Sequence, residues 1–177
     1  MRKLLFSGMF RAPVTEPRPP TDDAALRELA QAVDRSARRR LGHSLSIREV
    51  DAGSCNGCEL EIHALNNAFY DLERFGIRFV ASPRHADVLL VTGPVTANMR
   101  DALERTFQAT PDPKWVVAVG DCAVDGGCFA GSYAVVGGVA RVVPVDLHIR
   151  GCPPNPNALL QGLLALLDRV GEGGRSA

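Results

Sequence analysis

The 177-residue sequence lacks any apolar run near the roughly 20 residues that a transmembrane helix needs. Its longest candidate, residues 158–167, is interrupted and too short, so we expect no membrane span. The sequence also lacks an excess of either charge, with 20 basic and 20 acidic residues. This balance argues against a nucleic-acid binder that works by bulk electrostatics. A short apolar stretch near the start ends at Arg11 without an A-x-A pattern, so no cleaved signal peptide is expected.

Several familiar cofactor and metal motifs are missing as well. No GxGxxG opens a helix after a strand, which leaves nicotinamide or FAD binding by that route unsupported. The sequence contains no phosphate-binding P-loop and no HExxH, and its four histidines are scattered. His63 and His148 lie near cysteines in the sequence, but we expect them at the surface or beside a site rather than as metal ligands. These other signals are weak beside that of the cysteines.

The chain divides into three expected parts. Residues 1–41 hold the proline-rich stretch RAPVTEPRPP and then an amphipathic helix that Thr21 can cap. Residues 42–170 alternate strands and helices, and residues 171–177 form a glycine-rich tail that is expected to fray. Two interpretations of the first part remain open. Its helix lies on its own domain, or the segment is a docking arm for a membrane surface or a partner subunit.

Short apolar runs alternate with helical patterns over most of the chain. We predict strands in SIREVDAG, IRFVAS, DVLLVTG, KWVVAVGD and ARVVPVD, in that order. The predicted helices span residues 58–75, 98–109 and 156–169. The last one begins with Asn155 as its cap and Pro156 at its first position. Strands that are apolar throughout and separated by helices predict an α/β fold, in which an open parallel sheet carries helices on both faces.

Cysteines follow three of the predicted strands. Cys55 and Cys58 come after the first strand, Cys122 after the fourth and Cys152 after the fifth. Ligand sites in open α/β sheets lie beyond the carboxyl ends of the strands, so we expect the sheet to bring these four cysteines together. The CxxC lies at a helix N-terminus, where the helix dipole favours thiolate. Four thiolates on glycine-lined loops suit a soft metal.

Three kinds of site remain open from the residues alone. A structural zinc site usually has two close cysteine pairs, whereas only Cys55 and Cys58 are close here. A dithiol redox site would use that pair and leave Cys122 and Cys152 unexplained. An iron–sulfur cluster uses all four cysteines and is the favoured interpretation. Cys128 could replace Cys122 as a ligand, but we expect it to pack beside the site as a small apolar residue.

Three motifs carry a resemblance to a known family. SCNGCELEI, GDCAVDGGCFAGSY and RGCPPNP, in this order and spacing, resemble the small, cluster-carrying subunit of membrane-bound, energy-converting nickel–iron hydrogenases and of formate hydrogenlyase. The chain is also similar to the B-type (PSST) component of NADH:quinone oxidoreductase, complex I. The resemblance covers about residues 42–168. In complex I the first two cysteines are usually adjacent, whereas Asn56 and Gly57 separate them here, which resembles the hydrogenase branch.

The resemblance implies a flavodoxin-like fold and one [4Fe-4S] cluster, with Cys55, Cys58, Cys122 and Cys152 as its ligands. It implies an electron-transfer subunit of an oxidoreductase complex, with no independent active site. The expected partners are a ferredoxin-like iron–sulfur subunit, integral membrane subunits and a catalytic hydrogenase large subunit. In the complex I alternative, the D-type component of complex I replaces the hydrogenase large subunit and forms a quinone site with this chain. The chain would lie peripherally at the cytoplasmic face of the cell membrane.

Two carboxylates, Glu59 and Glu61, open the helix that follows the CxxC. Their simplest role is favourable placement at the positive end of the helix dipole. By the same resemblance, Glu61 matches an acidic position of the complex I family near the terminal cluster. That match implies a role for Glu61 in coupling proton movement to electron transfer.

Overall fold

The computed structural model describes residues 23–172 of the chain. The proline-rich stretch, the cap expected at Thr21 and the end of the glycine-rich tail lie outside the described residues. The expectations for those segments therefore stay predictions.

Within the described range the chain forms the following elements. The helices are α1 (Asp23–Leu41), α2 (Gly57–Ala64), α3 (Arg100–Ala109), α4 (Asp121–Asp125) and α5 (Pro156–Glu172). The strands are β1 (Ser46–Asp51), β2 (Arg78–Phe79), β3 (Val88–Thr92), β4 (Val95–Thr96), β5 (Trp115–Val119), β6 (Val135–Gly137) and β7 (Leu147–Ile149). Short 3-10 turns occupy Leu72–Phe75, Pro83–His85, Gly127–Phe129 and Val139–Arg141.

Five of the strands form a parallel sheet in the order β2-β1-β3-β5-β7. If only these five strands are numbered along the chain, their order in the sheet is 2-1-3-4-5, as in flavodoxin-like folds. β1 aligns with β3 from Ile47 opposite Val88 to Asp51 opposite Thr92. The expected α/β class and flavodoxin-like sheet are confirmed.

Helices cover both faces of the sheet, and each face has its own apolar core. On one face, Ile47, Leu90 and Val117 pack with residues of α1, α2 and α5. On the other face, Leu89 and Val116 pack with residues of α3 and α4. β3 and β5 are buried along their whole length because each lies between two other strands and beneath helices on both sides. This double burial explains why their sequences are apolar throughout.

Helix α1 packs onto the sheet domain through one apolar face. Ala30, Val33 and Ala37 are buried and belong to the same core as the sheet and α5. The Ser36 hydroxyl donates a hydrogen bond to Asp168 of α5 at 3.4 Å. The described helix therefore matches the interpretation in which it lies on its own domain. The interpretation as a docking arm stays open for residues 1–22. The domain boundary at residue 41 stays a prediction.

The helix predicted over residues 58–75 is wrong beyond Ala64, where α2 ends. The Asn67 side-chain oxygen accepts hydrogen bonds from Phe69 N at 2.8 Å and from Tyr70 N at 3.0 Å. Such local bonds give the backbone an alternative to the helix. Phe69, which lies beyond the end of α2, is 42% exposed.

The strand predicted in ARVVPVD is wrong as well, because its first residues form a 3-10 turn and β7 begins only at Leu147. The chain rejoins the sheet at Asp146, whose N–H donates to Val116 O at 2.8 Å. The Asp146 carboxylate accepts from Val116 N, also at 2.8 Å. Pro144, just before this point, has no N–H to contribute to a strand. The run predicted in IRFVAS shortens to β2, and the antiparallel pair β4–β6 was not predicted.

The start of α5 agrees with the sequence-based prediction. The Asn155 side-chain oxygen accepts a hydrogen bond from Ala158 N at 2.8 Å, and Pro156 occupies the first helical position. This arrangement satisfies one of the free N–H groups at the helix start.

Candidate metal centre

Turns beyond the carboxyl ends of β1, β5 and β7 carry the four candidate cysteines. Cys55 and Cys58 lie between β1 and the first turn of α2, Cys122 lies on α4 directly after β5, and Cys152 follows β7. All four line one cleft of about 110 Å³. The other residues of this cleft are Ser54, Gly57, Gly93, Asp121, Gly151 and Pro153. The sheet thus brings together cysteines that are far apart in the sequence.

Short polar side chains shape the turn that carries the CxxC. Asp51 Oδ1 accepts hydrogen bonds from Gly53 N and Ser54 N, both at 2.7 Å. Ser54 Oγ then accepts from Asn56 N at 3.0 Å. Asn56 has a left-handed backbone, with φ 71°, which asparagine tolerates better than most residues. The chain therefore enters α2 with Cys58 in its first turn.

Two glycines leave room for the cysteine sulfur atoms. A Cβ at Gly120 would lie 2.6 Å from Cys58 Sγ, and a Cβ at Gly127 would lie 2.8 Å from Cys122 Sγ. Both glycines have positive φ, +85° and +51°. A larger residue at either position would displace a sulfur atom and strain the backbone. The absence of a side chain at these two glycines therefore leaves space beside the sulfur atoms of Cys58 and Cys122.

The turns that carry Cys122 and Cys152 are joined by backbone contacts. Asp121 N donates to Gly151 O at 2.9 Å, and Gly151 N donates to Asp121 Oδ1 at 3.2 Å. The first bond continues the backbone pairing of β5 with β7 past the ends of the strands, and the second adds a contact from the Asp121 side chain. Two of the four cysteines are thus held on a common backbone framework.

The electrostatics of the cleft disfavour thiolates in the absence of positive charge. Burial raises the pKa of Cys58 to about 12, and the Glu59 carboxylate and the other three cysteines act in the same direction. Burial also raises the pKa of Cys122, with Cys128 and the other cysteines adding to the effect. A group that brings positive metal ions would offset both the burial and the mutual repulsion. The four sulfur donors therefore fit a bound metal cluster.

Glu59, not Glu61, is the buried carboxylate next to the cysteines. Glu59 is 6% exposed, and neither of its oxygens has a hydrogen-bond partner among the described residues. Glu61 is partly exposed on the same helix. From the sequence, burial of Glu59 was not expected. Its position three residues before the buried Ile62, on the same helix face, was the signal that could have indicated burial.

A second carboxylate, Glu49 on β1, lies close to Glu59. Burial raises the pKa of Glu49, with His63 opposing this shift and Glu59 adding to it. Neither His63 nor His148 is among the described residues that line the cleft. That these histidines are not ligands stays a prediction.

Cys128 lies beside Cys122, as expected, but the expectation that it packs as an apolar residue is wrong. It is exposed because it lies at the start of the exposed loop that follows α4.

None of the five cysteines forms a disulfide. In the part of the chain from residue 23 to residue 172, no group of three or more His, Cys, Asp or Glu side chains could hold a single metal ion as placed. No helix in this part is long and apolar enough to cross a membrane.

Comparison with known proteins decides the family. Residues 55–166 match the family described as NADH ubiquinone oxidoreductase, 20 Kd subunit. The chain belongs to this family. The matched range begins at the first candidate cysteine and includes all four.

Named relatives agree with this membership. "Formate hydrogenlyase subunit 7" of Escherichia coli (strain K12) is 48% identical over 129 residues, which are 73% of this chain and 51% of that protein. "Probable membrane-bound hydrogenase subunit mbhJ" of Pyrococcus furiosus is 44% identical over 132 residues, 75% of this chain and 79% of that protein. The chain therefore spans about half the length of the first relative and most of the second.

A solved structure is similar to the fold described above. It is the membrane-bound sulfane sulfur reductase, an archaeal respiratory membrane complex. One of its chains is 36% identical to this one with a TM-score of 0.66, and the match covers 80% of this chain and 77% of that chain. The resemblance to hydrogenase small subunits and to the PSST component of complex I is thus confirmed. So is the expectation of a family whose members are subunits of oxidoreductase complexes.

Proposed function

We propose that this chain carries one [4Fe-4S] cluster and transfers electrons within a membrane-bound oxidoreductase complex. The observation that carries this proposal is the meeting of Cys55, Cys58, Cys122 and Cys152 around one cleft at the carboxyl edge of the sheet. Four cysteine thiolates are the usual ligand set of such a cluster. Family membership adds support, because the matched range contains the same cysteines.

The chain's own residues would hold the group and keep its surroundings rigid. The four cysteines would bind its iron atoms, and the group would supply one-electron transfer. Gly120 and Gly127 leave space for two of the sulfur atoms. The Asp51 side chain fixes the turn before the CxxC by accepting two hydrogen bonds of 2.7 Å from backbone N–H groups.

Substitution of the cysteines tests the ligand assignment. Replacing Cys55, Cys58, Cys122 or Cys152 by Ala should abolish the EPR signal of the reduced cluster, because each change removes one ligand. Cys128→Ala is the matched control, since it removes an exposed thiol beside the site and should leave the signal in place. A full signal in Cys152→Ala would refute the assignment.

For the complex itself, we propose the hydrogenase branch. The chain would relay electrons between the clusters of a ferredoxin-like iron–sulfur subunit and a nickel–iron large subunit, with integral membrane subunits anchoring the assembly at the cytoplasmic face. The separation of the first two cysteines by Asn56 and Gly57 supports this branch, as do the names of the two relatives. The second candidate is a complex I-type assembly with a partner of the D type and a quinone site, which the family description supports.

The partner chain distinguishes these two assemblies. The tagged chain would be purified from detergent-solubilised membranes together with its large partner, and that partner would be sequenced and assayed for nickel. Two CxxC pairs and bound nickel support the hydrogenase branch. A partner without them, in a preparation that reduces quinone, supports the complex I-type assembly.

We further propose that Glu61 couples proton uptake to cluster reduction. It lies on α2, three residues after Cys58 and partly exposed. Reduction adds a negative charge to the cluster, which favours a proton on a nearby carboxyl group. The reduction potential of wild type should therefore depend on pH, and Glu61→Gln should weaken that dependence. Identical pH slopes in the two proteins would leave Glu61 as a helix-start residue.

A further inference from the structure

Arg150 connects the two turns that carry Cys122 and Cys152. Its Nη1 donates a hydrogen bond to Asp125 Oδ2 at 3.3 Å and lies 3.6 Å from Asp121 Oδ1. Asp121 and Asp125 are the first and last residues of α4, the short helix that carries Cys122. One guanidinium, on the turn that presents one cysteine, thus contacts both ends of the helix that presents another.

Both carboxylates also bind backbone amides of these turns. Asp121 Oδ1 accepts from Gly151 N at 3.2 Å, and Asp125 Oδ1 accepts from Gly127 N at 2.9 Å. The Gly127 hydrogen bond and the one from Arg150 hold the pKa of Asp125 below its usual range. A continuous network therefore runs from the Gly127 amide through Asp125, Arg150 and Asp121 to the Gly151 amide.

The network is exposed, so its effect should be local. The side chains of Arg150, Asp121 and Asp125 are 63%, 40% and 55% exposed. Ion pairs at such exposure add little to the free energy of unfolding of a whole domain. An arginine that contacts both turns affects local opening instead. It limits how easily the two turns separate while the rest of the chain stays folded.

We propose that Arg150 is a positioning residue of the candidate metal centre. By bridging Asp121 and Asp125 it holds the turns of Cys122 and Cys152 at a fixed separation, and it places a positive charge beside the site. The effect of the positive charge rests on the proposed cluster, whereas the bridge between the two turns is a property of the protein chain alone. A cation near the cluster favours its more negative, reduced form and raises its reduction potential.

Hydrogen exchange of the full chain without its cluster tests the bridge. In Arg150→Gln, the amides of residues 121–129 and 149–155 should exchange about two- to fivefold faster, and other regions should not change. Asp125→Asn should speed exchange in the same two segments. Arg105→Gln is the matched control, since the described structure gives this exposed arginine of α3 no ion pair. Faster exchange confined to residues 149–155, or none at all, would overturn the bridge.

Redox titration of the cluster-containing chain tests the charge. Arg150→Gln should lower the midpoint potential, Arg150→Lys should restore it towards wild type, and Arg105→Gln should leave it unchanged. An unchanged potential in Arg150→Gln would overturn the electrostatic part, while the exchange result decides the bridge by itself. A wild-type chain with no cluster signal would refute the proposed cofactor instead, and the exchange experiment would still decide the bridge.

Discussion

Gly120→Ala tests the position of the Cys58 sulfur without changing any cysteine. Gly120 follows β5 and has φ +85° and ψ 157°, a backbone region that is nearly exclusive to glycine. A Cβ at this position would lie 2.6 Å from Cys58 Sγ, well inside the 3.4 Å at which ordinary contact begins. Either the sulfur must move within the cleft or the turn must open.

The expected magnitude combines backbone strain and overpacking. A residue other than glycine in this region adds about 1–3 kcal/mol of strain, and forcing extra volume into a packed site adds about 1–3 kcal/mol. We therefore expect Gly120→Ala to lower the free energy of unfolding of the cluster-free chain by about 2–6 kcal/mol. The added Cβ would lie about 0.8 Å too close to Cys58 Sγ for ordinary contact. A shift of the sulfur by that amount exceeds the roughly 0.2 Å within which metal–ligand distances vary. The iron content should therefore fall to a small fraction of that of wild type.

Gly131→Ala provides the matched control for this prediction. Gly131 also has a left-handed backbone, with φ +82°, but a Cβ there would meet nothing within 4 Å. This variant should lose about 1–2 kcal/mol of stability from strain alone and keep its iron. Urea unfolding followed by circular dichroism measures the stability, and iron and sulfide analysis after reconstitution measures cluster content. Wild-type iron content in Gly120→Ala would refute the claim that Cys58 occupies a ligand position.

Two further predictions concern the surrounding fold. Asn155→Ala removes the cap of α5 and should lower the free energy of unfolding by about 1 kcal/mol, whereas Asn155→Asp should retain it; equal urea midpoints for the two variants would contradict the capping role. Burial raises the pKa of Glu49 from its ordinary value. The stability that protonated Glu49 contributes is therefore fully present below that ordinary value and is lost as the pH rises through the raised pKa. As the pH rises through this raised pKa, Glu49→Gln should therefore gain stability relative to wild type. Glu73→Gln, at an exposed position, should follow wild type. Parallel pH profiles of stability for Glu49→Gln and wild type would show that burial of Glu49 has no energetic effect.

The central sheet could be predicted from the sequence because its strands are buried on both faces. DVLLVTG and KWVVAVGD are apolar throughout, and they form β3 and β5. The order of strands and helices then put the turns with Cys55, Cys58, Cys122 and Cys152 at one edge. That step did not depend on exact strand ends. The strand before Cys152 was assigned several residues too early, yet the cysteine still follows the last strand of the sheet.

Other features depend on contacts that apolar patterns do not reveal. The end of α2 is set by the hydrogen bonds of the Asn67 side chain, although the apolar spacing continues past it. An apolar run such as ARVVPVD fits a strand or a buried irregular segment equally well, and the pairing of Asp146 with Val116 decides between them. The network around Arg150 joins residues from two turns, so it became visible only in three dimensions.

The central claim is that four cysteines hold one [4Fe-4S] cluster, and Mössbauer spectroscopy of the purified chain, combined with metal and sulfide analysis, tests it most directly. We predict about four iron and four sulfide per chain and the spectrum of a four-iron cubane. Loss of any one of Cys55, Cys58, Cys122 or Cys152 should remove that spectrum, and Cys128→Ala should preserve it. A colourless protein with about one zinc per chain, or a metal-free dithiol, would contradict the claim.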